Sequence, residues 1–231
     1  MRTISLFPFK MYYSVLRYYV DKFYTYNAEE FKKNDLILDV GGEKKNKKGQ
    51  FNTNECAGKV FYLNIDPQTK PDFLADAKKI PVNKNYFDKV ICSQLLEHVL
   101  DPIEVLKEIF RVLKPGGMLL MSAPFLYRIH PDPIDYARYT DYYWKTNLKK
   151  LGFTNIKVEK HGYYFSVLAN MLKTYAKESQ KNQIIISAIP TLIAGLFTQL
   201  AVKLDRSKKT IKNKVLTSHT LGFGVVATKP K

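Results

Sequence analysis

Cysteine is scarce in this sequence: Cys56 and Cys92 are the only two among 231 residues. Two cysteines build neither a disulfide framework nor a metal quartet, and they point to a reducing compartment. Acidic residues are also few, 21 against 37 Lys and Arg, which leaves a formal charge of +16. No secretory leader is expected, because the apolar run in residues 1–10 is short and broken by Pro8. There is no internal repeat, and no low-complexity segment beyond short Lys clusters. Hydrophobic residues make up 45%, ample for the core of one large α/β domain. The basic excess is mostly Lys and is scattered along the chain. It reads as a solvated surface, as a face for an anionic membrane, or as a face for nucleic acid; the last two supply counter-charge.

The pattern is organised around Phe87–Phe125. Phe87–Cys92 is an apolar run of strand length. Ile103, Leu106, Ile109, Phe110 and Leu113 recur at helical spacing and define one buried face. Asp101 is a natural N-cap with Pro102 at the first helical position. Lys114-Pro115-Gly116-Gly117 stops that helix, and Met118–Ala123 is a second buried strand. Strand, crossover helix and strand make a parallel unit whose ligands lie beyond the carboxyl ends of the strands. Ser93–His98 and Pro124–His130 fall on that edge.

Upstream, Phe7–Phe31 reads as one aromatic-rich helix, suited to packing on a sheet, to a lid, or to a membrane interface. Leu36–Val40 is a buried strand running into Gly41-Gly42, where a backbone must approach a ligand closely. Glu43–Asn54 is polar and aperiodic, so the helix that usually follows such a turn is short or absent. Val60–Ile65 is a strand ending at Asp66-Pro67; an acid there can accept from both ribose hydroxyls, or merely start a turn. Phe73–Ala77 is a third short strand, with Asp76 able to accept from the exocyclic amine of a purine.

Downstream, Tyr127–Trp144 is a Pro-rich polar loop. Thr140 caps a helix over Asp141–Lys150, closed by Gly152. Asn155–Lys160 and Leu221–Thr228 are the last strands. The roughly sixty residues between them are too long for a plain loop and must carry their own structure. Phe165–Tyr175 reads as helical. Ile184–Leu204 is apolar and approaches the length of a bilayer span. A single span would leave the last strand on the wrong side of the membrane. The expectation is therefore a helical insertion over the active-site edge, dipping into one leaflet, with Lys203, Arg206, Lys208, Lys209, Lys212 and Lys214 facing headgroups. A helical lid buried on the domain or in a homodimer is the alternative.

The ordered set LDVGG, LNID, ADAKKIP, FDKVICSQLLEHV and RVLKPGG resembles the class I S-adenosylmethionine-dependent methyltransferases, over about Leu36–Phe153 with Leu221–Thr228 as the closing strand. It looks most like the broad subgroup of ubiquinone-type and small-molecule enzymes. HPDPIDYARYT, followed by a helix and Gly-Phe, looks like a branch often associated with bacterial surface-polysaccharide and lipid-linked glycan genes. The resemblance implies an α/β, Rossmann-like seven-stranded sheet with helices on both faces and the last strand antiparallel. The whole chain is expected to be one domain: a helical lid over 1–34, a cofactor-binding core over 35–162, the insertion over 163–220 and the closing strand over 221–231.

It also implies S-adenosylmethionine as cofactor. Asp39, Gly41 and Gly42 would lie under its methionine part, Asp66 at the ribose, Asp76 and Ala77 at the adenine, and Cys92, Ser93 and Gln94 beside the transferred methyl. The family turn usually has glycine where Glu43 stands. A strained backbone at Glu43 would cost about 1 kcal/mol, so a non-catalytic cofactor-binding protein is an alternative.

A hydroxyl acceptor needs a base within hydrogen-bond reach. His130 and His98 are the catalytic candidates on the working edge; each also reads as structural, His98 paired with Glu97. Asp135, Arg138 and Tyr139 are the substrate-binding candidates, with a buried Arg138–Asp135 pair that holds the loop as the alternative. Some relatives use Glu-x-x-Glu-His as divalent-metal ligands. Gln94 replaces the first acid in Gln94-Leu95-Leu96-Glu97-His98, and no metal is expected. The reading is O-methylation of a glycan, lipid-linked or other small-molecule acceptor, in the cytoplasm and peripherally on the inner membrane face. RNA methylation rests on charge alone: no nucleic-acid-binding module is appended, and the Asn-Pro-Pro-aromatic motif of amino-methylating enzymes is missing.

Overall fold

The computed structural model describes residues 13–45, 49–130, 134–181 and 189–231. Seven strands form one sheet: β1 (Leu36–Val40), β2 (Lys59–Asn64), β3 (Phe73–Leu74), β4 (Phe87–Ser93), β5 (Leu113–Pro124), β6 (Thr154–Lys160) and β7 (Gly222–Thr228). Their spatial order is β3-β2-β1-β4-β5-β7-β6. β1 to β5 pair in parallel, and β7 runs antiparallel to both β5 and β6. The chain reverses its strand order between β1 and β4, which opens a crevice at their carboxyl ends.

Alternation along the strands builds two cores. Leu38, Val40, Val90, Cys92, Leu119 and Met121 face the helices α2 (Pro102–Val112) and α3 (Asp141–Lys150). Their neighbours Ile37, Ile91 and Leu120 face α1 (Val15–Asn27), α4 (Tyr164–Lys181) and α5 (Ile189–Asp205). The period-2 pleat thus sends each strand's apolar residues both ways, as a sheet covered on both faces requires. α2 begins as its caps dictate: Asp101 accepts from the backbone N–H groups of Ile103 and Glu104, with Pro102 at the first position. Thr140 accepts from Tyr143 N–H and starts α3 in the same way. α2 ends at Val112, and the Lys-Pro-Gly-Gly stretch continues as the opening of β5. Leu113 already pairs with Phe87, and the register slips before Lys89 pairs with Met118. Gly116, at φ +78, takes the kink, and its N–H reaches Lys229 O.

The N-terminal helix differs from expectation in extent, and among the described residues the helix after β1 is short or absent, as expected. The N-terminal helix spans Val15–Asn27, capped by Ser14 and followed by a 3₁₀ turn at Ala28–Glu30; residues 7–12 lie outside the described residues. It packs on the sheet through Val15, Leu16, Val20, Phe23 and Tyr24. After β1, the described part of residues 41–58 holds only a 3₁₀ turn, Thr53–Glu55. α1 covers the sheet face that a helix after the glycine turn would have taken.

The insertion is an α4–α5 hairpin followed by α6 (Lys208–Lys212) and α7 (Lys214–Ser218). Asp205, 2% exposed, accepts from the N–H groups of Tyr163, Phe165 and Ser166, and so caps α4 and ties both ends of the hairpin together. Asn170 and Lys173 of α4 hydrogen-bond the backbone of Val15 and Tyr13. The insertion therefore sits behind α1; the cavity described below takes no wall from it. Residues 182–188 of the expected apolar segment lie outside the described residues, and among the described ones no helix is long and apolar enough to cross a membrane.

Candidate active site

A cavity of about 320 Å³ opens at the carboxyl ends of β1 and β4, at the lower end of the range for small-molecule sites. Its floor is the turn after β1. Gly41 has φ +77 and donates its N–H to Leu63 O. A Cβ at Gly42 would fall 2.3 Å from Asp39 Cγ. Asp39, 4% exposed, accepts from Thr53 Oγ1 at 2.8 Å. Asn64 Nδ2 reaches the carbonyls of Gly41 and Gly42 at 3.3 and 3.2 Å. The turn is thus held from below and bare above, where an approaching ligand meets backbone. Glu43 lines the same cavity, and its φ is not positive. The positive φ in this turn falls on Gly41, so the strain anticipated at Glu43 does not arise.

Gln94 carries a left-handed φ of 51 at the end of β4. Its N–H bonds Ser122 O and its Nε2 donates to Ser122 Oγ at 3.1 Å, which fixes the conformation. A non-glycine residue held there at the edge of a cavity is strain of the kind that functional sites tolerate. Ser93 and Gln94 line the cavity; Cys92 does not, because the pleat turns its fully buried side chain to the α2 face. Burial pushes its thiol pKa up. Asp66 and Asp76 are exposed at the carboxyl ends of β2 and β3, outside the cavity lining. Asp66 caps its own turn through Gln68 N–H, and Asp76 accepts from Lys78 N–H. Ala77 is buried in the core.

The remaining wall comes from α1 and the loop after β1: Arg17, Asp21, Tyr24, Phe51 and Thr53. Sequence reading did not assign them. The only trace was the density of aromatic and basic residues in α1, which also fits a plain core helix. Asp21, 2% exposed, accepts from Gln50 N–H at 2.6 Å and Tyr13 Oη at 2.7 Å. Tyr24 Oη lies 3.1 Å from both Cys92 O and Ser122 Oγ, and its ring stacks on Phe51. It pins α1 to the ends of β4 and β5.

His98 and His130 line the far side, with ring centroids 5.2 Å apart. His98 Nδ1 is 2.7 Å from Ile134 O. His130 Nδ1 is 3.1 Å from Arg128 O and 3.2 Å from Asp135 Oδ2. These neighbours only accept, so both rings carry a proton on Nδ1, and in the neutral tautomer the lone pair is on Nε2. Burial holds the His130 pKa below the usual histidine value. Asp132, beside His130 in sequence, is outside the described residues.

The substrate-binding candidates are placed elsewhere. Asp135, its side chain 2% exposed, takes both amino groups of Arg138 and the N–H of His130. The Arg138 guanidinium holds the Asp135 carboxyl well below the ordinary range. Arg138 also reaches Ala137 O and Arg128 O. Tyr139 stacks on Tyr143 and meets Trp144 edge-on. None of the three lines the cavity. The ion pair closes on itself and reaches the backbone of His130, Arg128 and Ala137. Glu97, 1% exposed, sits behind His98; neither oxygen has a hydrogen-bond partner, and burial pushes its pKa up to about 7.

The fold has close counterparts among solved structures. A S-adenosylmethionine-dependent methyltransferase from Archaeoglobus fulgidus matches with TM-score 0.58 at 16% identity, covering 92% of this chain and 94% of that one. The chain has the fold of the class I S-adenosylmethionine-dependent methyltransferases. A methyltransferase-domain family profile matches residues 54–121. The [4+2]-cyclase SpnF shares the fold at TM-score 0.58 and 19% identity, covering 91% of this chain and 80% of that one. Among curated proteins, the ubiquinone/menaquinone biosynthesis C-methyltransferase UbiE of Neisseria meningitidis is 31% identical over 115 residues, 43% of this chain and 47% of the relative. The chain spans about half the length, or less, of the curated relatives it matches.

Proposed function

We propose that this class I methyltransferase transfers the methyl of S-adenosylmethionine to a hydroxyl of a glycan, lipid-linked or other small-molecule acceptor. The observation that carries the reading is the bare glycine turn over Asp39, facing His98 and His130 across one cavity. The turn suits the cofactor because any side chain at Gly42 would strike Asp39. Asp39, Gly41 and Gly42 would hold its methionine part, Asp66 the ribose, Asp76 and Ala77 the adenine, and Ser93, Gln94 and the Cys92 backbone the region of the methyl. The cofactor when bound supplies an activated methyl on a sulfonium; the protein's own task is alignment and, for a hydroxyl, removal of a proton. His130, with its lone pair on Nε2, is the candidate base, and His98 stands beside it. Asp135 and Arg138 serve by holding His130 in place.

Calorimetric titration with S-adenosylhomocysteine tests the core of this reading. Binding is expected, weakened more than about tenfold, or 1.4 kcal/mol, by Asp66→Ala. No binding, or equal binding by that variant, refutes the cofactor seat or the ribose role respectively.

The UbiE match favours a second reading, transfer to carbon; products of methylation with a labelled methyl distinguish an ether from a carbon-linked group. A catalytically degenerate cofactor-binding protein would bind S-adenosylhomocysteine and turn nothing over.

The finer cellular placement is a peripheral one, on an anionic membrane face. It is supported by exposed Met171, Leu172, Ile193, Leu196 and Leu200 on the α4–α5 hairpin, beside a run of Lys in α6. Flotation with anionic liposomes should carry the chain upward, and deletion of the hairpin face by polar substitutions should abolish it.

A further inference from the structure

Glu97 is the one carboxylate in the protein's described core with both oxygens unpartnered, at 1% exposure. Burying such a group without a hydrogen bond or counter-ion is costly. Its nearest candidate partner is His98 Nε2, 3.8 Å from Glu97 Oε1. The Ile134 carbonyl has already fixed the His98 proton on Nδ1. In the neutral ring a lone pair on Nε2 then faces the carboxylate, an arrangement that repels unless a cation, a proton or a metal ion, lies between. His130 completes the group: its Nδ1 is committed to Arg128 O and Asp135. One donor atom each from Glu97, His98 and His130 lies within 4.8 Å of the other two.

We propose that Glu97, His98 and His130 bind one divalent first-row transition-metal ion on the wall of the cavity. Two neutral imidazoles and one carboxylate are a donor set suited to zinc, manganese or iron(II), and too rich in nitrogen for calcium or magnesium. The second shell is in place: each imidazole directs its N–H to a backbone carbonyl, and Asp135, itself held by Arg138, steadies His130. Metal–nitrogen bonds near 2.1 Å require the donors to draw in by about 1 Å, which falls to the His130 loop rather than to buried Glu97. Three protein ligands leave positions open, and His98 and His130 line the cavity where an acceptor would stand. The absent first acid at Gln94, which led the sequence to predict no metal, is replaced by a histidine 36 residues away in the chain.

The consequence for chemistry rests on the methyltransferase reading. With the ion bound, His130 is a ligand and not a base, and the ion polarises an acceptor oxygen and lowers the pKa of its hydroxyl. The binding claim stands without it.

The experiment titrates chelator-treated full-length protein with Co²⁺, read by visible absorption, and then with Zn²⁺ in competition. One ion per chain is expected, with the absorption of a four- or five-coordinate site. Glu97→Gln, isosteric and uncharged, should weaken binding by more than about tenfold, since even outer-sphere changes cost that much; Glu104→Gln on the exposed face of α2 should not. If Glu97→Gln fails to fold, His98→Gln is read in its place. Absence of a bound ion, or equal affinity in the Glu97 and Glu104 variants, overturns the proposal and leaves a shared proton between Glu97 and His98 as the resolution. S-adenosylhomocysteine titration on the same samples reports the cofactor seat separately, so either reading can fail alone.

Discussion

Replacing Asp135 by Asn should unfasten the loop that carries His130 without touching the cofactor seat. The Asp135 side chain is 2% exposed and accepts three hydrogen bonds, two from Arg138 and one from His130 N–H. Asn keeps the shape and loses the charge. It leaves the Arg138 guanidinium without its counter-ion, and Arg138 Nε is already buried without a partner. Breaking a buried pair costs about 3–5 kcal/mol. Arg138 retains 19% exposure, so the lower end applies, about 3 kcal/mol. For a chain of this size that lowers Tm by roughly 6–12 °C.

The pH dependence carries the sign. The Asp135 pKa is lowered in the folded state, so its contribution is fully present above the ordinary value of 3.8 and is lost as pH falls toward the folded one. The gap between wild type and Asp135→Asn should be flat from neutrality down to about pH 5 and should narrow below that. Urea unfolding at several pH values measures it. S-adenosylhomocysteine affinity should stay close to wild type while turnover falls with the displaced His130. An unchanged Tm combined with a raised KM for the acceptor would refute the fastener role and return Asp135 and Arg138 to the substrate.

Gly42→Ala places a Cβ 2.3 Å from Asp39 Cγ, so calorimetry should show S-adenosylhomocysteine binding reduced about tenfold or more; intact affinity would remove the turn from the cofactor seat. Fully buried His161 has neither ring nitrogen partnered, and burial lowers its pKa to about 3. The unfolded chain therefore takes up its proton first, and wild type should lose about 2 kcal/mol between neutrality and pH 5 from this group. His161→Leu should not show that loss, and parallel pH profiles in chemical denaturation would contradict the assignment.

The sequence alone determined the elements whose signals are local. β1, α2 and α3 begin where the residues say, because a cap, a proline or a short apolar run acts within one turn of chain. The glycine turn after β1 was legible for the same reason: a bare backbone after a buried strand has few other uses. The ends of α2 and β5 were less so, since the Lys-Pro-Gly-Gly stretch that stops a helix is also drawn into the sheet by pairing with β4 and the chain end.

Tertiary structure alone decided the far wall of the cavity. Arg17, Tyr24 and Phe51 reach it because α1 packs against the ends of β4 and β5 beside the helix-poor loop after β1, and periodicity fixes a helix face without naming what that face meets. It also placed the Asp135–Arg138 pair outside the cavity lining with the Asp135 side chain buried, which depends on everything folded over it. The meeting of Glu97 and His98 with His130 belongs there too: they lie in the segments that follow two adjacent strands, and only the pairing of β4 with β5 brings those segments together.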